Sequence, residues 1–422
     1  MSLCAWEGVM NHWLRIAIVS IVSVLSEAQA TQVSIAGDGM IVINGQRTFV
    51  LGLYENPGDD AVLDQVADAG FNLVCASCDS ASLDRLAARG LYGWVNLGGR
   101  IDLGTDGHKD DAPLREAVAT CGAHPALLVW EVPDEVLWGC WLAAYHANPN
   151  WLDAIVDFKR RAADTAAGLL AGYERMRALD PAHPIWMNHA PCNAHGDLAA
   201  FGRAADIVGC DIYPVMHFTD SPWDWSGYFL GFVGQMTRVM QAAAPEKPVW
   251  MVLQGFGYCD LGRGPLILET SGSRRPTAAE VRFMVFDAVV RGARGVLFWG
   301  THAVEKDAPL WQGVLDAARE LDGLKDVLAA PDTDIEVDAQ ARALVLPMND
   351  GVHALGKAVN GQVWWLVVNE YPFKLDYVLR GLHALNGVKY RDERAGVEAT
   401  VRWNALSLEL PAYGIHVLRP VQ

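Results

Sequence analysis

Carboxylates, side-chain amides and aromatic rings recur in this chain just after short apolar runs: Tyr54 and Glu55, Cys75 and Asp79, Asn96, Glu131 with Asp134 and Glu135, Asn188 and His189, Asp211 and Tyr213, Gln254, and Trp299 with His302. A carboxylic acid gives or takes a proton, and two carboxyls in unlike surroundings divide into an acid and a base. Amides and further carboxylates hold hydroxyl groups, while flat indole and phenol rings cover apolar C–H faces. The combination suits a neutral, hydroxyl-rich ligand such as a sugar. The densest stretch is Trp130-Glu131-Val132-Pro133-Asp134-Glu135. A carboxyl at 135, with Trp130 and Trp138 nearby in sequence, is expected to have its charged form disfavoured and to serve as a proton donor.

These side chains act together only if the fold gathers them. From Ile41 onward, β-rich runs at 48–53, 71–75, 93–97, 126–130, 184–188, 207–212, 248–253 and 295–299 alternate with Ala/Leu-rich helical segments. Most runs are continuously apolar, as parallel strands covered on both faces require. Eight such units predict a closed (β/α)8 TIM barrel, whose active side chains project from the C-terminal strand ends. Helices are predicted over 60–69, with Gly70 as the stop, and over 151–179, ending before Pro181. The Gly-rich segments 97–114 and 259–276 read as long functional loops. A hairpin turning at Asn44-Gly45 leads into the barrel. After Pro331 the period changes to alternating strands at 341–346, 363–368, 397–401 and 415–418, a C-terminal antiparallel β-sandwich. The expected organisation is a leader over 1–30, a barrel over 31–332 and a sandwich over 333–422.

Composition excludes several classes. With 33 Lys and Arg against 50 Asp and Glu in 422 residues, the formal charge is −17, which rules against nucleic acid as a partner because phosphates must be neutralised by a basic surface. A carbohydrate is the expected partner. Arg15, the apolar run Ile16 to Leu25 and Ala28-Gln29-Ala30 form a signal-peptide pattern with cleavage after Ala30 and export to the periplasm or the medium. That run is shorter than the ~20 residues a bilayer span needs, so no stable membrane insertion is expected. Cys75 and Cys78 form C-x-x-C without a second pair or a histidine cluster, which favours thiols or one disulfide over a metal. H-E-x-x-H, G-x-S-x-G and a G-x-G-x-x-G after the first strand are absent, and no metal or cofactor is expected.

Trp130-Glu131-Val132-Pro133-Asp134-Glu135, together with Pro248-Val249-Trp250, the segment Gly292 to Trp299 and Pro411-Ala412-Tyr413-Gly414, resembles the retaining barrel glycosidases of clan A, such as families 2 and 5, whose fourth strand ends in a W-E-x-x-N-E-type motif. The resemblance covers most of residues 40–330. It implies glycoside hydrolysis with Glu135 as acid/base, Asp134 where the family has the Asn that contacts the sugar 2-hydroxyl, and Tyr213 as the strand-six Tyr that touches the nucleophile. Asn188, Asp211 and Trp299 join Glu55 and Gln254 as expected sugar-site residues.

The chain departs from the family at strand seven, where Gln254 stands in place of the nucleophilic Glu. An amide cannot form the glycosyl-enzyme ester. Three readings follow. Another carboxylate, Glu55 or Asp211, serves as nucleophile or base; an N-acetyl group of the substrate attacks while Asp134 orients it; or the barrel binds sugar without cleaving it. Gln254 is then expected to hold a hydroxyl, an acetamido group or a water. Trp94 and Trp130 are further candidate sugar platforms, and Arg263, Arg274 and Arg275 could grip an acidic sugar.

Overall fold

The computed structural model describes residues 30–191, 193–215, 230–261, 273–342 and 351–421. Of the expected leader, only Ala30 falls among them. Three short antiparallel strands come first, β1 (Val33–Ile35), β2 (Ile41–Ile43) and β3 (Gln46–Thr48). The β2–β3 turn is Asn44-Gly45, both at positive φ, as a type I′ hairpin requires.

Eight parallel strands then close a barrel: β4 (Val50–Leu53), β5 (Leu73–Cys75), β6 (Tyr92–Asn96), β7 (Leu127–Glu131), β8 (Ile185–His189), β9 (Ile207–Ile212), β10 (Val249–Gln254) and β11 (Gly295–Trp299). Each pairs with its sequence neighbour, and β11 pairs with β4. The helices between them are α1 (Asp60–Asp68), α2 (Ser80–Ala87), α3 (Ala112–Cys121), α4 (Val136–Ala147), α5 (Trp151–Leu179), α6 (His195–Gly202), α7 (Phe232–Ala243) and α8 (Ala278–Val290), with α9 (Pro309–Gly323) and α10 (Lys325–Ala329) after the last strand. Two of the boundaries read from sequence have visible causes. Asp59 caps α1 by accepting from the Ala61 N–H, and Asn150 caps α5 by accepting from that of Leu152.

The barrel interior is filled rather than hollow. Trp94, Trp186 and Trp250 pack there with Val50, Leu73 and Leu297, and Ile41 and Ile43 of the lead-in sheet join the same cluster. The indoles fit because Gly209 faces them: a Cβ there would lie 2.3 Å from the Trp250 carbonyl oxygen and 2.9 Å from Trp186 Nε1. Trp94 and Trp130 are therefore packing residues and not sugar platforms. Trp94 donates to the Leu53 carbonyl at 3.1 Å, and Trp130 is fully buried in the outer layer, donating to Asp180 at 2.8 Å.

The C-terminal region is two antiparallel sheets, one of β12 (Asp338–Ala341), β15 (Leu375–Arg380) and β18 (Ala405–Leu410), the other of β13 (Val352–Val359), β14 (Gln362–Asn369), β19 (Ile415–Val421), β16 (Lys389–Asp392) and β17 (Val397–Thr400). Most of the strand expected over 341–346 lies outside the described residues. Among those residues no helix is long and apolar enough to cross a membrane.

Candidate active site

The C-terminal strand ends bring four carboxyls into one electrostatic cluster. Glu131 is the last residue of β7 and fully buried. Its carboxyl meets the Tyr54 hydroxyl and accepts from Asn96 Nδ2 at 2.6 Å. Burial, reinforced by the charge of Asp134, pushes it well above the usual carboxylate range. The Tyr54 hydroxyl is hydrogen-bonded to Asp134 as well.

Asp134 also accepts from Asn188 Nδ2 at 3.1 Å. Water reaches its carboxyl, although the surrounding protein raises its pKa by desolvation. Solvent access and two donors make Asp134 the carboxylate best able to stay ionised. The Asn188 Oδ1, nearly fully buried, has no protein partner.

Glu135 adopts left-handed backbone, φ 44° and ψ 33°, at the N-terminus of α4. This is a strained conformation for a residue with a side chain, and such strain gathers at functional sites. Its carboxyl is hydrogen-bonded to that of Asp211, which is 6% exposed near the end of β9. Two carboxylates cannot occupy that geometry, so a proton lies between them, the contact itself raising Asp211 and lowering Glu135. Burial and neighbouring negative charge raise both groups, Asp211 well above its ordinary range. Burial is the larger cause, as expected from sequence, although Trp130 points into the helix layer and does not supply it, and the charge of Asp134 adds to it. Tyr213 is hydrogen-bonded to Asp211 and stacks on Trp299, centroids 5.5 Å apart and planes at 23°, while Phe256 meets both rings edge-on. Trp299 is only partly buried.

Two expected sugar-site residues are engaged elsewhere. Gln254 is 0% exposed, its Oε1 accepts from the Val215 N–H at 2.8 Å, and its Nε2 donates to the Val215 and Phe256 carbonyls at 3.0 Å each. The amide pins backbone and has nothing left for a hydroxyl or a water. Glu55 accepts from the Thr301 and His302 backbone N–H groups, from His302 Nδ1 at 2.8 Å and from the Thr301 hydroxyl. Four donors saturate a carboxylate, so Glu55 anchors the loop after β11 and is no free nucleophile. Arg274 is paired bidentately with Glu280 at 2.7 Å, and Arg275 with Asp260 and Glu305, which removes both from the grip on an acidic sugar; Arg263 lies outside the described residues. His189 is fully buried with neither ring nitrogen bonded, and burial lowers it to about 4.

Sequence reasoning placed Glu131, Tyr54 and Asn96 among the strand-end residues but gave none of them a role in the site. No residue type signals that a strand's last carboxyl will be fully enclosed. No disulfide joins the described cysteines, and Cys78 Sγ and Cys121 Sγ lie 3.6 Å apart.

No family model matches the chain, and no curated protein matches its sequence. Its fold does match solved structures. A catalytic mutant of Gan42B, a family 42 β-galactosidase from G. stearothermophilus, aligns with a TM-score of 0.56 at 10% identity over 93% of this chain and 100% of that one. A family 5 glycoside hydrolase from Bacteroides vulgatus aligns at 0.55 and 13% identity over 93% and 92%, and the β-galactosidase of Bacillus circulans sp. alkalophilus at 0.53 and 10% over 89% and 99%. The chain has a (β/α)8 glycoside-hydrolase-type fold with a β-rich C-terminal region. Identities this low speak for fold alone.

Proposed function

We propose that this protein hydrolyses an O-glycosidic bond of a glycan or glycoside, with Glu135 as the general acid. The observation that carries the reading is the contact of Glu135, on strained left-handed backbone, with the carboxyl of the buried Asp211 at the mouth of a glycoside-hydrolase-type barrel. A carboxyl raised by burial and by the charge of Asp134 can hand its proton to a leaving oxygen. Burial and the charge of Asp134 keep Glu135 protonated, Asp211 and Tyr213 are positioning groups that keep it aimed, and Trp299 offers its partly open face to a sugar ring. A site that only bound sugar would gain nothing from two apposed carboxyls and a strained Glu135 backbone.

A hydrogen-bonded pair is closer than the ~5 Å that separates retaining carboxyls and the ~6.5–9.5 Å of inverting ones. With Gln254 and Glu55 engaged, Asp134 is the carboxylate left to steer the attacking group. That group is a water, or an acetamido oxygen of the substrate itself. The engagement of Gln254 and Glu55 is what favours the substrate-assisted reading as the second one. The signal-peptide pattern at Arg15 to Ala30 supports a second part of the proposal, that the protein is exported and begins at Thr31 after removal of the leader, which the mass of the exported form tests.

The experiment is an aryl-glycoside screen, with and without 2-acetamido substituents, product stereochemistry being followed by NMR. Glu135→Gln is expected to lower activity at least ~10²-fold with folding intact, because it removes a proton donor without changing shape. Activity within a few-fold of wild type would place the acid elsewhere.

A further inference from the structure

The helical hairpin α4–α5 stands above the barrel mouth. Helix α5 has 29 residues, about 43 Å at 1.5 Å per residue, roughly twice the length of a barrel strand. Its C-terminus feeds the base of β8, while Gly168 accepts from the Leu103 N–H at 3.1 Å and Gly172 packs on Ile101, in the loop at the mouth end of β6. Residues 151–167 thus extend beyond the mouth, and α4 climbs beside them from Glu135.

The outer part of this hairpin is apolar and uncovered. Among the described residues the exposed large hydrophobic side chains are Tyr145, Trp151, Leu152, Val156 and Trp403, and the first four lie on the hairpin at 51–71% exposure. A contiguous apolar patch of this kind marks a binding surface. Trp138, Trp141 and Tyr145 follow Glu135 at helical spacing i, i+3, i+7 and form one stripe. Trp141 is held in place by Trp151 at 5.0 Å and 72°, Phe158 at 5.7 Å and 85°, and Tyr145 at 6.0 Å. Rings fixed this way present pre-set faces with little rotamer entropy left to lose on binding. The basic side chains of α5 that flank the patch are paired: Arg160 with Asp157 and Asp164, Arg161 with Asp157, and Lys159 with Asp197. Helix α4 contains no Asp, Glu, Lys or Arg. The surface therefore offers aromatic faces without a free cation for an acidic polymer.

We propose that Trp141, Tyr145 and Trp151 form a track for an uncharged glycan chain, continuous with the site at Glu135, so that the substrate is a polysaccharide or long oligosaccharide rather than a small glycoside. The proposal rests on the glycosidase reading for the identity of the ligand, and it adds the length of that ligand and where its remote sugars lie. Remote contacts of this kind hold a chain in register for chemistry at one bond.

The test uses the full chain in a Glu135→Gln background, so that binding is read without turnover. Retention is measured on cellulose, mannan, galactan, xylan and chitin for that protein and for the same protein carrying Tyr145→Ala and Trp151→Ala. Both added substitutions are at exposed positions, and thermal melting checks that the fold is kept. The expected result is retention on at least one polymer, weakened tenfold or more by the aromatic substitutions. In the active protein the same pair should lower the ratio of polymer to aryl-glycoside turnover by a similar factor. Retention unaffected by the substitutions, or no retention on any polymer, overturns the proposal. So does an oligomer that dissociates when the rings are removed while glycan binding is unchanged, because the patch is then a surface between copies of this chain. Polymer binding that depends on the rings in a protein that cleaves nothing upholds the track and refutes hydrolysis. Aryl-glycoside cleavage without polymer binding does the reverse.

Discussion

Glu135 becomes a proton donor through what faces it. Its carboxyl is raised first by burial and then by the charge of Asp134, while the contact with Asp211 works the other way and aims it. A general acid loses activity as pH rises through its pKa. In Asp134→Asn the negative charge that raises Glu135 is gone, so the Glu135 pKa falls. The descending limb of the kcat/KM profile should move to lower pH, with turnover at neutral pH down about tenfold or more. An unmoved limb would show that Asp134 does not control that proton. Gln254 makes the opposite case, since its residue type suggested a ligand contact and its surroundings make it a backbone clamp. Gln254→Ala orphans three buried backbone groups and should cost about 2–4 kcal/mol in denaturant unfolding, while KM on any glycoside changes little. A large rise in KM at unchanged stability would restore the sugar-binding role. The residue types at the strand ends were legible because a barrel exports its chemistry there. Which of them were already saturated was not, because the partners of Glu55 and Gln254 include the backbone of Thr301 and Val215, 246 and 39 residues away in sequence.

At the scale of elements, the strands were legible from unbroken apolar runs, and α5 from its amphipathic period over the same span the structure shows. Helix α4 was not, because VLWGCWLAAYHA has no polar face to set a phase. An all-apolar helix is expected to be buried, and half of this one is open. Helix α5 is tied at mouth level by close approach: a Cβ at Gly172 would lie 1.6 Å from the Ile101 carbonyl oxygen, and one at Gly168 2.0 Å from Asp102 Oδ1. Helix propensity favours Ala over Gly by about 1 kcal/mol, whereas forcing backbone apart in a packed region costs ~1–3 kcal/mol or more. Gly172→Ala should therefore destabilise by about 1–2 kcal/mol in urea unfolding. A stabilised variant would mean that the loop at 98–103 yields freely.

At the scale of the whole molecule, the change of period after Pro331 marks a change of architecture, and the sandwich has its own core around Trp365, Tyr377, Leu406 and Leu418 while part of it joins the barrel's. Leu366, Val368 and Ile415 of the sandwich belong to the same hydrophobic cluster as the barrel's helix layer. The junction itself is bound, Asp332 pairing with Arg294 at 2.6 Å and with the buried Lys357 at 2.8 Å. Deeper in the interface Asp287 of α8, fully buried, accepts from the Gly234 N–H at 2.8 Å and is hydrogen-bonded to the equally buried Glu370, which faces His353 at 3.5 Å and Arg291 at 3.9 Å. Burial first, and Glu370 second, push Asp287 well above the ordinary carboxylate range, so it carries the proton of the pair. A carboxyl whose pKa is higher folded than unfolded binds its proton more tightly in the folded state. Its contribution to stability is fully present below the unfolded pKa and is lost as pH rises toward the folded one. Asp287→Asn keeps an acceptor for Gly234 and supplies an uncharged donor to Glu370 that does not titrate. The variant's melting temperature relative to wild type should accordingly rise between pH 5 and pH 8, the wild type losing stability over that window through Asp287 while the variant does not. A difference that is flat with pH, or that shrinks on going from pH 5 to pH 8, would show that Asp287 does not hold a proton between the two halves of the molecule.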